Sequence, residues 1–133
     1  MKFNDFIKIG QVKIAAKDKS LAKSLLITSE NDLKFLETLE INKISARKIM
    51  SNYYDVLRSI LEAISSLDGY KIYSHEAFTY FLKEKSEKFD RYRKIRNNIN
   101  YYGKDVSVEE VKEHSVEIKK IIGILKKRYL ENL

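Results

Sequence analysis

Apolar residues recur along this chain at spacings of three and four, and no stretch sustains the alternation of a half-buried strand. The clearest run covers residues 45–67. There Ala46, Ile49, Met50, Tyr53, Leu57, Ile60, Leu61 and Ile64 share one helical face, with Arg47, Ser51, Asp55, Arg58 and Glu62 opposite. Asp55–Arg58 and Arg58–Glu62 have the spacings that pair charges along a helix surface. Gly69 follows as a C-terminal stop. A second clear helix begins after Ser107, where Glu110 completes a capping box. Its stripe is Val108, Val111, Ile118, Ile122, Leu125 and Tyr129, and Lys126, Lys127 and Arg128 suit the negative end of its dipole.

Weaker runs predict three further helices. Phe3, Phe6, Ile7 and Ile14 mark a first, and Leu21, Leu25, Leu26, Leu33 and Leu36 mark a second, with a break expected near residues 28–31. Another begins near Ser74 with Ala77, Phe78, Phe81 and Leu82, then continues or restarts at Ser86 through Asn100. Short loops are expected at about residues 40–44, 68–73 and 103–106. With no proline and four glycines, little interrupts these helices. The expected fold is all-α, a single domain over residues 1–133 built as a bundle of four to five helices.

Composition narrows the chemistry. At 133 residues and 44% hydrophobic, the chain can bury a core without covalent staples. The absence of cysteine excludes disulfides, thiolate metal sites and a cysteine nucleophile. His75 and His114 are the only histidines, which leaves little for a zinc site or a catalytic dyad. No Gly-rich phosphate loop or His-Glu-x-x-His helix is present, and neither a metal nor a cofactor is expected. The net charge of +7 points to an anionic partner, with nucleic acid the first candidate. Met1-Lys2-Phe3-Asn4-Asp5 lacks the apolar run of a signal peptide, and the greasiest stretch, 121–125, is too short to span a bilayer. The expectation is a cytoplasmic protein that does not enter membranes.

The stretch from Phe89 to Lys104 carries the densest chemistry: three of the chain's six arginines, three of its nine tyrosines, and Asn97, Asn98 and Asn100 close together. Asparagines at this density weaken a helix, so packing alone does not account for them. At 100° per residue, Phe89, Tyr92, Ile95, Ile99 and Tyr102 define the inward face. Arg96 falls at the edge of that face with Asn100 one turn on. Arg93 and Asn97 form a second pair beside them, while Arg91, Lys94 and Asn98 point elsewhere. A partly buried Arg96 needs partners, from Asn100, a tyrosine hydroxyl or a bound anion. Two readings stay open: a structural hydrogen-bond hub, or a phosphate held by Arg96 with aromatics free to stack on bases.

The segment Lys94-Ile95-Arg96-Asn97-Asn98-Ile99-Asn100-Tyr101-Tyr102-Gly103 resembles the signature helix of HEPN-domain proteins, the "higher eukaryotes and prokaryotes nucleotide-binding" family. That signature is an arginine, a polar residue after it, and a histidine four to six residues on, often with a tyrosine nearby. Residues 45–63, with Tyr53-Tyr54-Asp55, look like the family's preceding helix. Gly69-Tyr70-Lys71 followed by His75-Glu76-Ala77 looks like its inter-helix passage. The resemblance covers roughly residues 20–130. It implies a helical bundle that forms a homodimer through the motif helices. It also implies either a metal-independent ribonuclease toxin or the partner of a nucleotidyltransferase-type protein in a toxin–antitoxin module. In the ribonucleases the arginine stabilises the phosphate and the histidine assists attack by a ribose 2′-hydroxyl.

Carried over residue by residue, Arg96 matches the arginine and Asn97 the polar residue, whereas the histidine position falls on Tyr101, Tyr102 or Gly103. Tyrosine, with a pKa near 10, is a poor base at neutral pH, and losing a positioned acid–base group costs about two to four orders of magnitude. The expectation is therefore a dimeric subunit that binds RNA or a nucleotide, or that partners a nucleotidyltransferase. An active ribonuclease and a plain helical interaction module are the alternatives. The candidate catalytic set is Arg96, Asn97, Tyr101 and Tyr102. The candidate nucleic-acid contacts are Arg91, Arg93, Lys94, Asn100 and Lys104. His114 reads as a boundary residue of the last helix, and His75 as part of a cap region, with an approach to Arg96 in space left open. Glu109/Glu110 and Glu113/Glu117 read as a solvated helix face.

Overall fold

The computed structural model describes residues 1–82 and 86–133. The chain runs α1 (Phe3–Lys8), β1 (Val12–Ile14), α2 (Lys19–Glu37), α3 (Ala46–Asp68), β2 (Tyr70–Ile72), α4 (His75–Phe81), α5 (Ser86–Tyr102) and α6 (Val108–Tyr129). The protein is mostly helical, with six helices and one two-stranded sheet among the described residues. That exceeds the expected four to five helices because α4 and α5 are separate elements.

The long helix α3 is the centre of the bundle. The expected apolar face is buried throughout, and so are Ser51, Tyr54, Ser65 and Ser66 on its other sides. α2 and α6 pack along it, with α4, α5 and β2 completing its surround. The expected polar face is thus only partly solvated: Arg47 is exposed, whereas Asp55, Arg58 and Glu62 are half-buried. Ser65 and Ser66 satisfy their hydroxyls locally on the Glu62 carbonyl, both at 2.9 Å. Small polar residues can therefore sit against neighbours without an unpaired donor.

α2 runs unbroken through residues 28–31, where a break was expected. Ser29 lies buried on its inner face, between Leu25, Leu26, Leu33 and Leu36, which pack on the core. Packing of that face overrides the weak local propensity. α6 has the expected capping box: the Glu110 N–H donates to Ser107 Oγ at 3.1 Å, and the Ser107 N–H donates to Glu110 Oε1 at 3.3 Å.

The sheet is the element that periodicity did not predict. β1 and β2 pair antiparallel, with Val12 opposite Ile72, Lys13 opposite Lys71 and Ile14 opposite Tyr70. Strands of three residues are too short to show alternation, and their pairing joins distant parts of the chain. The pairing replaces the expected helical course through Ile14 and occupies the expected loop after Asp68. Gly69 ends α3 in the left-handed conformation (φ 83°), and a Cβ there would stand 3.0 Å from the Ala15 carbonyl oxygen. Both facts call for glycine. Phe6, Val12 and Ala77 form a small second cluster under this sheet, which seats the start of α4.

On α5, Phe89, Tyr92 and Ile99 are buried and Ile95 is partly buried, as the inward face requires. Tyr102 is not: it is 75% exposed. Ile99 and Asn100 already lie beside Arg47, Lys48 and Ser51 in the first turns of α3, so one turn later no length of α3 is left to cover the ring. No helix among the described residues is long and apolar enough to cross a membrane.

Candidate functional site

Three helices converge on the ring of Tyr54. This residue sits in the middle of α3 and is fully buried. Its hydroxyl lies 2.7 Å from Nδ1 of His75, the first residue of α4, and the two rings stack at 5.8 Å between centroids. From α5, the Arg96 guanidinium lies over the same ring, 5.6 Å from its centroid, and Phe89 packs against it at 5.5 Å.

Local sequence explains each placement. Ser74 caps α4 by accepting the Ala77 N–H at 3.3 Å, which starts the helix at His75. Ala77 and Phe78 are buried and fix the rotation of α4, and Phe78 meets Phe89 of α5 at 6.1 Å. Phe89, Tyr92 and Ile99 turn one side of α5 inward and leave Arg96 at the border, as its position at the edge of that face implies.

Charge is unevenly compensated around this point. Arg93 donates to Asp90 from Nη2 at 2.6 Å and from Nε at 3.1 Å, and Lys94 reaches the same carboxylate at 2.9 Å. Arg58 pairs with Glu62 at 3.1 Å. Arg96 is half-buried, and no carboxylate pairs with it among the described residues. Its Nε is buried with no hydrogen-bond partner among the described residues. Leaving such a donor unmet is costly, and the guanidinium keeps a charge that an anion could match. Burial pushes the Tyr54 hydroxyl well above the usual tyrosine range, against the pull of Arg96, Arg58 and Arg93, so it keeps its proton. Burial, followed by the charges of Arg58 and Arg96, lowers the proton affinity of His75 and keeps the ring neutral near pH 7.

One turn beyond Arg96, Asn100 accepts a hydrogen bond from Ser51 Oγ at 3.2 Å. It borders a groove of about 410 Å³ that also takes in Arg47, Lys48, Asn52 and Asp55. Asn97 is half-buried beside Arg96. Tyr101 and Tyr102 are 72% and 75% exposed at the end of α5. Gly103 then turns the chain with φ 63°, and the exposed Lys104 returns its backbone N–H to the Asn98 carbonyl at 3.1 Å.

Arg91 belongs to a different neighbourhood. It faces α6, where Nη2 lies 3.4 Å from His114 Nδ1 and Nη1 lies 3.9 Å from Glu117. The Tyr92 hydroxyl donates to Glu117, and Lys88 reaches the same carboxylate at 3.1 Å. His114 is buried and meets the Tyr92 ring edge-on at 5.3 Å. Two expectations are corrected here. Glu117 is a half-buried acceptor, not part of a solvated face, because the inward turn of Tyr92 brings a hydroxyl to it. His114 is an inner residue of this network, not a boundary one.

The structure therefore gathers Arg96, Arg93 and Asn97 near one point, sets Asn100 at the adjoining groove, and sends Arg91 elsewhere. Sequence reasoning missed Tyr54 as the hub. Its signal was present: Tyr54 lies four residues after Met50 and three before Leu57, on the edge of the apolar face. Arg47 and Lys48 were also missed as groove residues. Among the described residues, no cluster of histidine and carboxylate side chains is suited to hold a metal ion. No family model matches the chain, and neither a curated protein nor a solved structure matches it.

Proposed function

We propose that this chain is a HEPN-like helical subunit that binds a phosphate of RNA or of a nucleotide at Arg96 and does not cleave it. The observation that carries the reading is the uncompensated guanidinium of Arg96, held in place on the Tyr54 ring with its Nε unmet. The sequence resemblance around Arg96-Asn97 supports the same residue. The exposure of the Tyr101 and Tyr102 rings supports a base-stacking role for them. In this reading the protein acts as a homodimer and pairs with a nucleotidyltransferase-type protein of a toxin–antitoxin module, both of which rest on the resemblance.

The test is fluorescence anisotropy with a labelled single-stranded oligouridylate in EDTA, for the wild-type protein and Arg96→Ala, with the RNA length checked afterwards. The expected outcome is binding that weakens with salt, a loss of about tenfold in the variant, and intact RNA. Cleavage by the wild type that disappears in the variant would mark an active ribonuclease. Equal and negligible binding by both proteins would leave a plain interaction module.

A further inference from the structure

We propose that His75 is the second anion-binding group of the Arg96 site, that it acts as a neutral N–H donor, and that the site selects a singly charged phosphodiester. This inference rests on the reading that Arg96 binds phosphate.

The argument starts at the Tyr54 hydroxyl. It is fully buried, and His75 Nδ1 is its hydrogen-bond partner among the described residues. A buried hydroxyl that keeps its proton uses it, so Tyr54 donates to Nδ1. Nδ1 must then be an acceptor, and the ring proton sits on Nε2. The two ring nitrogens diverge, so Nε2–H points away from Tyr54, on a ring that is only half-buried at the first turn of α4. Such an imidazole donates a hydrogen bond at Nε2 but has no lone pair there to take up a proton. It suits holding a phosphate oxygen, not abstracting a proton from a ribose hydroxyl. Helix α5 thus lacks the motif histidine, while α4 supplies one in a form fitted to binding.

The charge around the two rings sets the ligand class. Arg58, Arg93, Lys94 and Arg96 face Glu62, Asp90 and Asp55, directly or through field effects on Tyr54 and His75. Arg58 pairs with Glu62, and Arg93 and Lys94 share Asp90, whereas Arg96 has no carboxylate partner among the described residues. With a neutral His75 on the same Tyr54 ring, the site balances one negative charge. A phosphodiester within a strand carries one, whereas a terminal phosphomonoester approaches two at neutral pH.

The experiment displaces labelled oligouridylate from the full chain at pH 7 with the dinucleoside monophosphate UpU or with UMP. The variants are Arg96→Ala, His75→Ala and His75→Gln, with folding verified by circular dichroism. His75→Ala is expected to weaken oligouridylate binding about tenfold. His75→Gln, whose amide N–H can replace Nε2–H, is expected to stay within about threefold of wild type. UpU is expected to compete better than UMP. If Arg96→Ala weakens binding and His75→Ala does not, His75 is no part of the site and the Arg96 reading stands. If neither variant changes binding, the Arg96 reading itself fails. A folded His75→Gln as weak as His75→Ala overturns the neutral-donor role, and stronger competition by UMP overturns the charge match.

Discussion

Arg91 and Arg96 leave the same helix less than two turns apart, yet they enter opposite environments. Arg91 joins a closed network in which Glu117 accepts from Tyr92 and Lys88 while His114 lies alongside. Both cations there, Lys88 and Arg91, reach the same carboxylate of the chain, Glu117. Arg96 lies on a tyrosine ring, with a buried Nε that nothing accepts and no carboxylate among the described residues. On the proposed reading, the difference separates a structural arginine from one that takes up a ligand. A satisfied cation contributes locally to stability, and an unsatisfied one keeps its interaction for something that binds.

The contrast can be broken most forcefully at Tyr54. Truncation by Tyr54→Ala removes a fully buried ring and is expected to cost roughly 3–5 kcal/mol in urea unfolding, as large aromatic deletions do. A cost below about 1 kcal/mol would mean that the ring is not the hub of the Arg96 side. Next comes the paired comparison of the two arginines. Arg96→Ala should weaken oligouridylate binding about tenfold, and Arg91→Ala by less than about twofold. Equal losses would mean that the protein uses both sides of α5 as one diffuse basic surface. The reverse comparison is thermodynamic. Tyr92→Phe removes the donor to Glu117 and should cost about 1 kcal/mol of stability while leaving binding unchanged.

The smallest effect is the pH response, which involves both sides. His75 and His114 are each held below the ordinary histidine value, first by burial and then by nearby arginines. As pH falls, the unfolded chain therefore takes up these protons before the folded one does. Stability is fully present above about pH 6.5 and declines as the pH drops from there through the folded values. Thermal unfolding of the His75→Gln/His114→Gln double variant should be flatter between about pH 7 and pH 5 than that of wild type. An unchanged slope would place the loss on other groups. Asp90, where burial pushes upward but hydrogen bonds from Lys94 and Arg93 prevail, and Glu117, held low by the Tyr92 hydrogen bond, add to the decline only in the carboxylate range.

Much of the fold was legible because helices announce themselves locally. Residues 45–67 carry enough periodic apolar positions to mark α3, and Ser107 with Glu110 marks the start of α6 within one turn. Less was legible where a structure depends on distant partners. The β1–β2 pair joins Val12 to Ile72, and neither strand is long enough to show a pattern. Tyr102 matched the inward spacing of α5 and is nevertheless exposed, since helical phase shows which residues share a face but not how far the neighbouring helix extends. The border position of Arg96 could be read from phase alone. Its lack of a counter-ion could not, because that depends on which carboxylates the other helices bring near.

The sequence by itself determined the helical class of this protein, the stop of α3 at Gly69, the capping box of α6, and the concentration of arginine and asparagine on α5. These follow from interactions between residues within a few turns of each other, where covalent spacing already sets the geometry. Tertiary structure alone decided that Tyr54 would join α3, α4 and α5, that His75 would face a tyrosine hydroxyl, and that Glu117 would serve Tyr92 and not solvent. Those outcomes depend on how whole helices rotate and align to bury their apolar faces. Which polar groups then find partners, and which guanidinium is left without one, follows from that packing.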